Sequence, residues 1–389
     1  MPTSSTPRKP RIKQGQDLVD LLIKHGFSFR LDDRDESLEI NGQRETNESW
    51  ARLRTKLRDL GYGAQNLDRA QDAILAYAGQ RRFHPVRDFL QSLSYDGGPH
   101  IAQLASFVQD KHGVFGLYLR KFLIGAVNRV CTGEHHPVFV WDGLQGIGKS
   151  QLAKWLCPIP GMYLDSGIAP DQEDHVRRIA TTFVWEVSEL GSTTRRADRE
   201  ALKQFLSREV VTFRQKYAKC DTTRPALASF IGTVNDSAGV LNDPTGSRRY
   251  RITTITGINW DYRHMVNLCQ VWAEAQAAYL AGESWLLDKD DNDTATTINA
   301  GYEVESPVEA ILSDTYRFDP SKVQDNDWWQ STASIMALLQ LAGYKAQGQS
   351  AMAGIIEALR KYGCEPRTRQ IKTIAGDYRN TRGWGGLHI

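Results

Sequence analysis

Cysteine is scarce in this chain of 389 residues, and what there is lies scattered. Cys131, Cys157, Cys220, Cys269 and Cys364 are odd in number and form no C-x-x-C pair. A disulfide framework and a structural zinc site are thereby excluded, and a reducing cytoplasm fits. No apolar run approaches the roughly 18 residues of a membrane span, so no membrane is expected among its partners. Residues 1–15 are Ser/Thr/Pro-rich and basic but lack the apolar stretch of a secretion signal, and they read as a disordered tail. A surplus of charge is missing too: the formal net charge is +2, so any nucleic-acid surface must be local. With 41% hydrophobic and 24% charged residues, the rest has the composition of an ordinary globular protein of two or three domains.

Against this background one motif stands out. Residues 143 to 150 read Gly-Leu-Gln-Gly-Ile-Gly-Lys-Ser, a complete G-x-x-x-x-G-K-S phosphate loop. At average residue frequencies such a match arises about 0.02 times in a chain of this length, which makes it specific. An apolar run, Val138 to Trp141, precedes it as a strand, and an amphipathic helix continues the chain over Gln151 to Cys157. Backbone N–H groups from Gly143, Gln145, Gly146, Ile147, Gly148, Lys149, Ser150 and Gln151 are therefore expected to cradle the phosphates of ATP, with the positive end of the helix dipole behind them. Lys149 reaches the β and γ phosphates in this reading, and Ser150 ligates Mg²⁺.

The pattern along the chain divides it into a tail (1–15), a helical N-terminal region (16–133), an α/β core (134–285), an acidic linker (286–306) and a C-terminal domain (307–389). The N-terminal region carries helical periodicity around a polar hairpin-like stretch, Phe29 to Asn41. Core strands are predicted over Val138 to Trp141, Thr182 to Val187, Leu227 to Thr233 and Tyr250 to Ile255, with a helix from about Tyr262 to Ala281. The acidic run Asp288 to Asp293 predicts an exposed loop.

Nucleotide hydrolysis needs a carboxylate in the Mg²⁺ shell and one to polarise water, and an apolar strand ending in Glu186 and Glu189 offers both. Glu186 is the expected metal partner of Ser150, and which of the two acids is the base stays open. A third strand ends in Asn235, an amide suited to the γ phosphate or the lytic water. Arg248 and Arg249 stand just before a fourth strand, where a guanidinium supplied to a neighbouring subunit would couple hydrolysis to assembly. Between these lies Val210 to Lys219, in which Arg214, Lys216 and Lys219 could grip a phosphate backbone while Tyr217 stacks. An ordinary amphipathic hairpin would have the same composition.

From Pro307 onward two apolar-periodic helices, Ser334 to Leu341 and Gln349 to Tyr362, precede a β-hairpin from Arg367 to Trp384 with a turn at Gly376, the pattern of a winged helix. Residues 345 to 389 hold eight Lys/Arg against three acids. That basic wing, with Arg367, Arg369 and Lys372 at its start, suits duplex or forked DNA, although winged helices also serve as plain packing modules.

Taken in order, GLQGIGKS, FVWEVSEL, KQFLSREVVTFRQKY, IGTVN and TGSRRYR resemble the virulence-associated protein E family of phage and mobile-element ATPases. That family belongs with the superfamily three helicases and the viral and plasmid primase-helicases. HPVRDFLQSL and SYDGG resemble its segment ahead of the phosphate loop, so the likeness spans roughly residues 84 to 260. The resemblance implies a P-loop, AAA+-like ATPase core that acts as a hexameric ring helicase on single-stranded or forked DNA. It makes the phosphate loop a Walker A motif, Glu186 and Glu189 the Walker B region, Asn235 the sensor, and Arg248 with Arg249 the arginine-finger segment. Arg214, Lys216 and Tyr217 match the hairpin before the sensor strand. It also implies phage or host replication proteins as partners, in the cytoplasm of a bacterial host. An ATP-regulated assembly switch and a small-molecule kinase are the competing readings. The N-terminal region lacks the carboxylate cluster expected of a primase.

Overall fold

The computed structural model describes residues 15–63, 65–188, 196–214, 220–235, 247–302, 307–344, 349–372 and 377–389. It divides into two units, Met1–Tyr302 and Glu303–Ile389.

The first unit opens with α1 (Gly15–Lys24), β1 (Phe29–Asp32), β2 (Leu38–Ile40), β3 (Gln43–Arg44), α2 (Asn47–Asp59), α3 (Gln65–Gly79) and β4 (Arg82–Phe83). Its three helices accompany a four-stranded mixed sheet in the order β3-β2-β1-β4, in which β1 and β2 pair antiparallel within the stretch from Phe29 to Asn41. The edge strands β3 and β4, of two residues each, are too short to show the alternation by which strands are recognised. Leu18, Leu22, Leu53, Leu57 and Ile74 bury against Phe29, Leu38 and Ile40 to make its core. Polar contacts fasten this module to the remainder of the unit: Arg34 donates to the Thr181 carbonyl at 2.6 Å, Glu36 ion-pairs with Arg224 at 2.6 Å, and Thr222 Oγ1 donates to Glu36 at 3.3 Å.

Next come α4 (Pro85–Ser92), α5 (His100–Ala105), β5 (Val108–Asp110) and α6 (Phe115–Thr132), then β6 (Val138–Asp142), α7 (Lys149–Leu156), β7 (Tyr163–Asp165) and α8 (Glu173–Thr181). The chain continues through β8 (Val184–Ser188), α9 (Arg196–Leu206), β9 (Val210–Phe213), β10 (Thr222–Pro225), β11 (Ser229–Thr233) and β12 (Tyr250–Ile258). It ends this unit with α10 (Tyr262–Met265), α11 (Leu268–Leu280) and α12 (Lys289–Ala300). A six-stranded sheet in the order β5-β12-β6-β11-β8-β7 is the centre of the unit. Five strands run parallel and β5 closes one edge antiparallel. Parallel strands are covered on both faces, so β6 and β11 are buried at every position. Phe115, Phe122 and Phe139 pack with Trp141 on one side, and Trp185, Phe205 and Phe230 pack together in a second cluster.

Two sequence expectations change in this unit. The helix over Tyr262 to Ala281 is two helices, broken where Val266 turns extended and the Asn267 side chain caps α11 through the Cys269 amide. The acidic linker is α12: the Asp288 side chain caps it by accepting from the Asp291 amide at 2.9 Å, and Ala295 and Asn299 are buried. Acidic residues read as loop are also what a helix favours in its first turn, where its dipole is positive.

The second unit has α13 (Pro307–Thr315), β13 (Arg317–Phe318), β14 (Trp329–Ser331), α14 (Thr332–Leu341), α15 (Gln349–Lys361), β15 (Glu365–Lys372), β16 (Tyr378–Gly385) and β17 (Leu387–His388). Its three-stranded sheet is ordered β14-β16-β15, and Ile335, Leu339, Ile355 and Leu359 pack with Trp384 beneath it. The turn expected at Gly376 lies outside the described residues. Among the described residues no helix is long and apolar enough to cross a membrane.

Candidate functional site: the glycine loop and its carboxylate

The phosphate-loop sequence lies where β6 passes into α7, outside the carboxyl end of the parallel strands. Gly143, Gly146 and Gly148 all adopt positive φ, at 139°, 84° and 106°. Only glycine takes such a run without strain. At Gly143 close packing adds a second reason, since a Cβ there would meet the Ile255 carbonyl oxygen at 2.2 Å. Gln145, Gly146 and Ile147 form the crown of the loop, and α7 begins at Lys149 with Ser150 and Gln151 in its first turn. The loop thus presents backbone N–H groups at a helix N-terminus, the geometry that receives an anion.

Lys149 is 5% exposed. Its ammonium donates to the Gly143 carbonyl, to the Leu144 carbonyl at 2.9 Å and to Asn235 Oδ1 at 3.2 Å. Burial lowers its pKa, while the nearby carboxylates of Asp142 and Glu186 oppose that shift. Asp142, the last residue of β6, accepts from the Tyr302 hydroxyl at 3.0 Å.

Glu186 is completely buried in the middle of β8. A carboxylate among apolar neighbours is tolerable only when its oxygens are satisfied, and three hydroxyls do this. Ser150 donates to Oε1 at 2.6 Å, Thr233 donates to the same oxygen at 2.8 Å, and Tyr163 donates to Oε2. The Tyr163 pKa is pushed up, first by burial and then by that bond to the carboxylate. Lys149, Ser150, Glu186 and Asn235 therefore converge on one spot. Ser150 and Glu186, with adjacent oxygens, form a donor pair that fits a hard cation such as Mg²⁺. Among the described residues no group of three or more His, Cys, Asp or Glu could hold a metal by itself. Glu189 lies outside the described residues.

Thr233 and Tyr163 are the members of this site that sequence reasoning missed. Both are ordinary strand residues, and register alone brings them to Glu186: Thr233 pairs with Ser188 across β11 and β8, and Asp165, two residues beyond Tyr163, pairs with Glu186 itself. Tyr163→Phe removes one hydrogen bond to a charged group, worth about 1.5–3 kcal/mol, and is expected to lower turnover roughly tenfold or more by loosening the carboxylate. A steady-state measurement of hydrolysis checks this; unchanged turnover removes Tyr163 from the site.

Arg248 and Arg249 are elsewhere. They form a short 3₁₀ turn before β12, whose first residue, Tyr250, pairs with Val138 at the start of β6. With a rise of ~3.3 Å per residue, that level lies about 13 Å from Asp142, at the opposite edge of the sheet from the glycine loop. There Arg248, exposed, and Arg249, whose Nε donates to Ser207 Oγ at 3.3 Å, line a cavity of 490 Å³ with Arg251 and Trp285.

Of the residues expected to touch nucleic acid, Arg214 is exposed beside the β9–β10 hairpin and ion-pairs with Asp221 at 2.6 Å. Lys216, Tyr217 and Lys219 lie outside the described residues. In the second unit, Arg367 donates to the Gln324 carbonyl at 2.6 Å and Arg369 to the Asn326 carbonyl at 2.7 Å, so both brace the segment before β14. Lys372 is exposed at the end of β15, paired in register with Tyr378, which is 70% exposed.

These features define a mixed α/β protein with a glycine-rich loop at the carboxyl ends of a parallel sheet. More narrowly, the chain belongs to the virulence-associated protein E-like domain family, whose model matches residues 90–304. None of the curated proteins matches it in sequence. Among solved structures it is similar in fold to the NrS-1 C-terminal region. In one apo form (residues 305–718, A form) the TM-score is 0.55 at 13% identity, covering 96% of this chain and all of that one. In a second apo structure the TM-score is 0.52 at 11% identity, over 97% and all of the respective chains.

Proposed function

We propose that the chain is an ATP-driven DNA motor of phage or mobile-element replication, with a P-loop, AAA+-like ATPase core and a C-terminal winged helix. The observation that carries the ATPase reading is the convergence of Lys149, Ser150, Glu186 and Asn235 on a glycine loop at the end of parallel strands. In the reaction, Lys149 leaves the carbonyls of its own loop for the β and γ phosphates. Ser150 and Glu186 would hold Mg²⁺, which supplies charge neutralisation, and Asn235 orients the attacking water or the γ phosphate. Glu186 or Glu189 accepts the water's proton. Buried under three hydroxyls, Glu186 is better suited to hold the metal shell, which favours Glu189 as the base.

The position of Arg248 and Arg249 at the far edge of the sheet supports a role on a neighbour's nucleotide rather than on their own, and hence a closed ring, hexameric by resemblance. The succession β14, α14, α15, β15, β16 within the second unit supports the winged-helix reading, with Lys372 and Tyr378 presented at the hairpin end for single-stranded or forked DNA. Arg214, Lys216, Tyr217 and Lys219 would grip the strand from the β9–β10 hairpin, as channel-lining basic and aromatic residues do.

ATP turnover with and without DNA, together with displacement of a strand from a fork, tests the motor. Turnover without displacement favours an ATP-regulated assembly switch, and phosphate transfer to a small acceptor favours a kinase. The ring has its own test. An Arg248→Ala, Arg249→Ala double variant and a Lys149→Ala variant are each expected to be inactive, yet their co-expression restores part of the ATPase activity at interfaces that keep both groups. No recovery at any ratio of the two means that the arginines do not act across an interface.

A further inference from the structure

Immediately after β12 the chain reads Asn259-Trp260-Asp261-Tyr262-Arg263. Because β12 runs parallel to β6, this turn lies on the same edge of the sheet as the glycine loop. Trp260 lies directly against that loop, close enough that a Cβ on Gly148 would meet its Cζ2 at 2.9 Å. For a tryptophan packed against backbone it is unusually open, at 41% exposed. Its position is nevertheless fixed from several sides. The Arg263 guanidinium lies 4.4 Å from the ring centroid over one face. The Asn259 amide donates to the Phe107 carbonyl at 2.8 Å, and Asn259 Oδ1 accepts from the Asp261 amide at 3.0 Å. Tyr262, buried, packs edge-on against Trp155 of α7 with centroids 5.0 Å apart. An exposed indole seated between the glycine loop and a guanidinium is not accounted for by packing alone.

We propose that Trp260 is the platform on which the base of the bound nucleotide stacks, with Arg263 backing the ring. This rests on the phosphate-loop reading and adds to it the subsite that distinguishes a nucleotide from a bare polyphosphate. Phosphates seated on the loop amides leave the sugar and base to emerge along the rim, where an aromatic face at Gly148 receives them. Stacking requires a π-face and no particular hydrogen-bonding edge, so the subsite favours purines over pyrimidines and tolerates both adenine and guanine.

Equilibrium binding of Mg-ATP, Mg-CTP and Mg-tripolyphosphate to the whole chain tests this by calorimetry. The wild-type protein is expected to bind ATP more tightly than CTP, and CTP more tightly than tripolyphosphate. Trp260→Ala should weaken ATP about tenfold or more, the scale of one base–aromatic stack, and leave tripolyphosphate within about twofold. Trp260→Leu keeps apolar bulk against Gly148 without a π-face and should lose ATP affinity in the same way, whereas Trp260→Phe retains most of it. Equal weakening of ATP and tripolyphosphate in both Trp260→Ala and Trp260→Leu means that the indole only props the loop, and the platform is overturned. So is it if wild-type ATP and tripolyphosphate affinities are equal, with the phosphate-loop reading intact. Binding of neither ligand by the wild-type protein overturns the phosphate-loop reading and the platform with it.

Discussion

Lys149→Ala is expected to reduce ATP turnover at least about a hundredfold, the scale on which removal of one preorganised donor to developing charge acts. The lysine is buried, and its ammonium is held by the Gly143 and Leu144 carbonyls and Asn235. None of those acceptors is a charged group that would be stranded by its loss, so the fold should survive with a melting temperature within a few degrees of the wild type. Thermal unfolding beside steady-state turnover separates the two effects. Wild-type turnover in a folded Lys149→Ala protein would falsify the site.

The second large effect is at Glu186. Glutamine keeps the shape of the side chain but loses the charge that draws a divalent cation toward Ser150, and turnover should again fall by about a hundredfold or more. Nucleotide binding should persist, since the loop amides and Lys149 are untouched. Most of the hydrogen bonds can be rearranged. The amide oxygen takes the place of Oε1 and accepts from Ser150 and Thr233, and the amide nitrogen faces Tyr163, whose hydroxyl rotates to accept. A large drop in the melting temperature would mean that Glu186 is a structural carboxylate, and unchanged turnover would remove it from catalysis. Comparison with Glu189→Gln then separates the metal partner from the base. Loss of turnover with Mg²⁺ dependence preserved marks the base.

The contrast between Glu186 and Arg248/Arg249 bears on how such a chain is read. Both sites are visible in sequence as charged residues at strand boundaries, and nothing in the local pattern says that one belongs to the glycine loop and the other to the opposite edge. Register decides it: β12 starts level with Val138, at the opposite end of β6 from the glycine loop beyond Asp142. The basic β15–β16 hairpin illustrates a different limit. Charge counts note Arg367 and Arg369 only as positive charges, and the structure adds that their guanidinium groups brace the backbone at Gln324 and Asn326. Composition records the presence of a donor and not what it donates to.

The sequence alone determined whatever is written in contiguous residues. The glycine loop needs its positive φ angles within a few positions, and the core strands announce themselves as apolar runs because both faces of a parallel sheet are buried. The family followed from the order of these local motifs. Only the tertiary structure decided the rest. The edge strands β3 and β4 of the N-terminal sheet, too short for a readable period, and the helix at Lys289–Ala300, whose acidic cap imitates a loop, are fixed by the surfaces they pack on. The hydroxyls of Thr233 and Tyr163 on Glu186, and the indole of Trp260 beside Gly148, come from strands and turns far apart in the chain. Their meeting depends on strand order and register, which long-range packing sets and no local stretch of residues encodes.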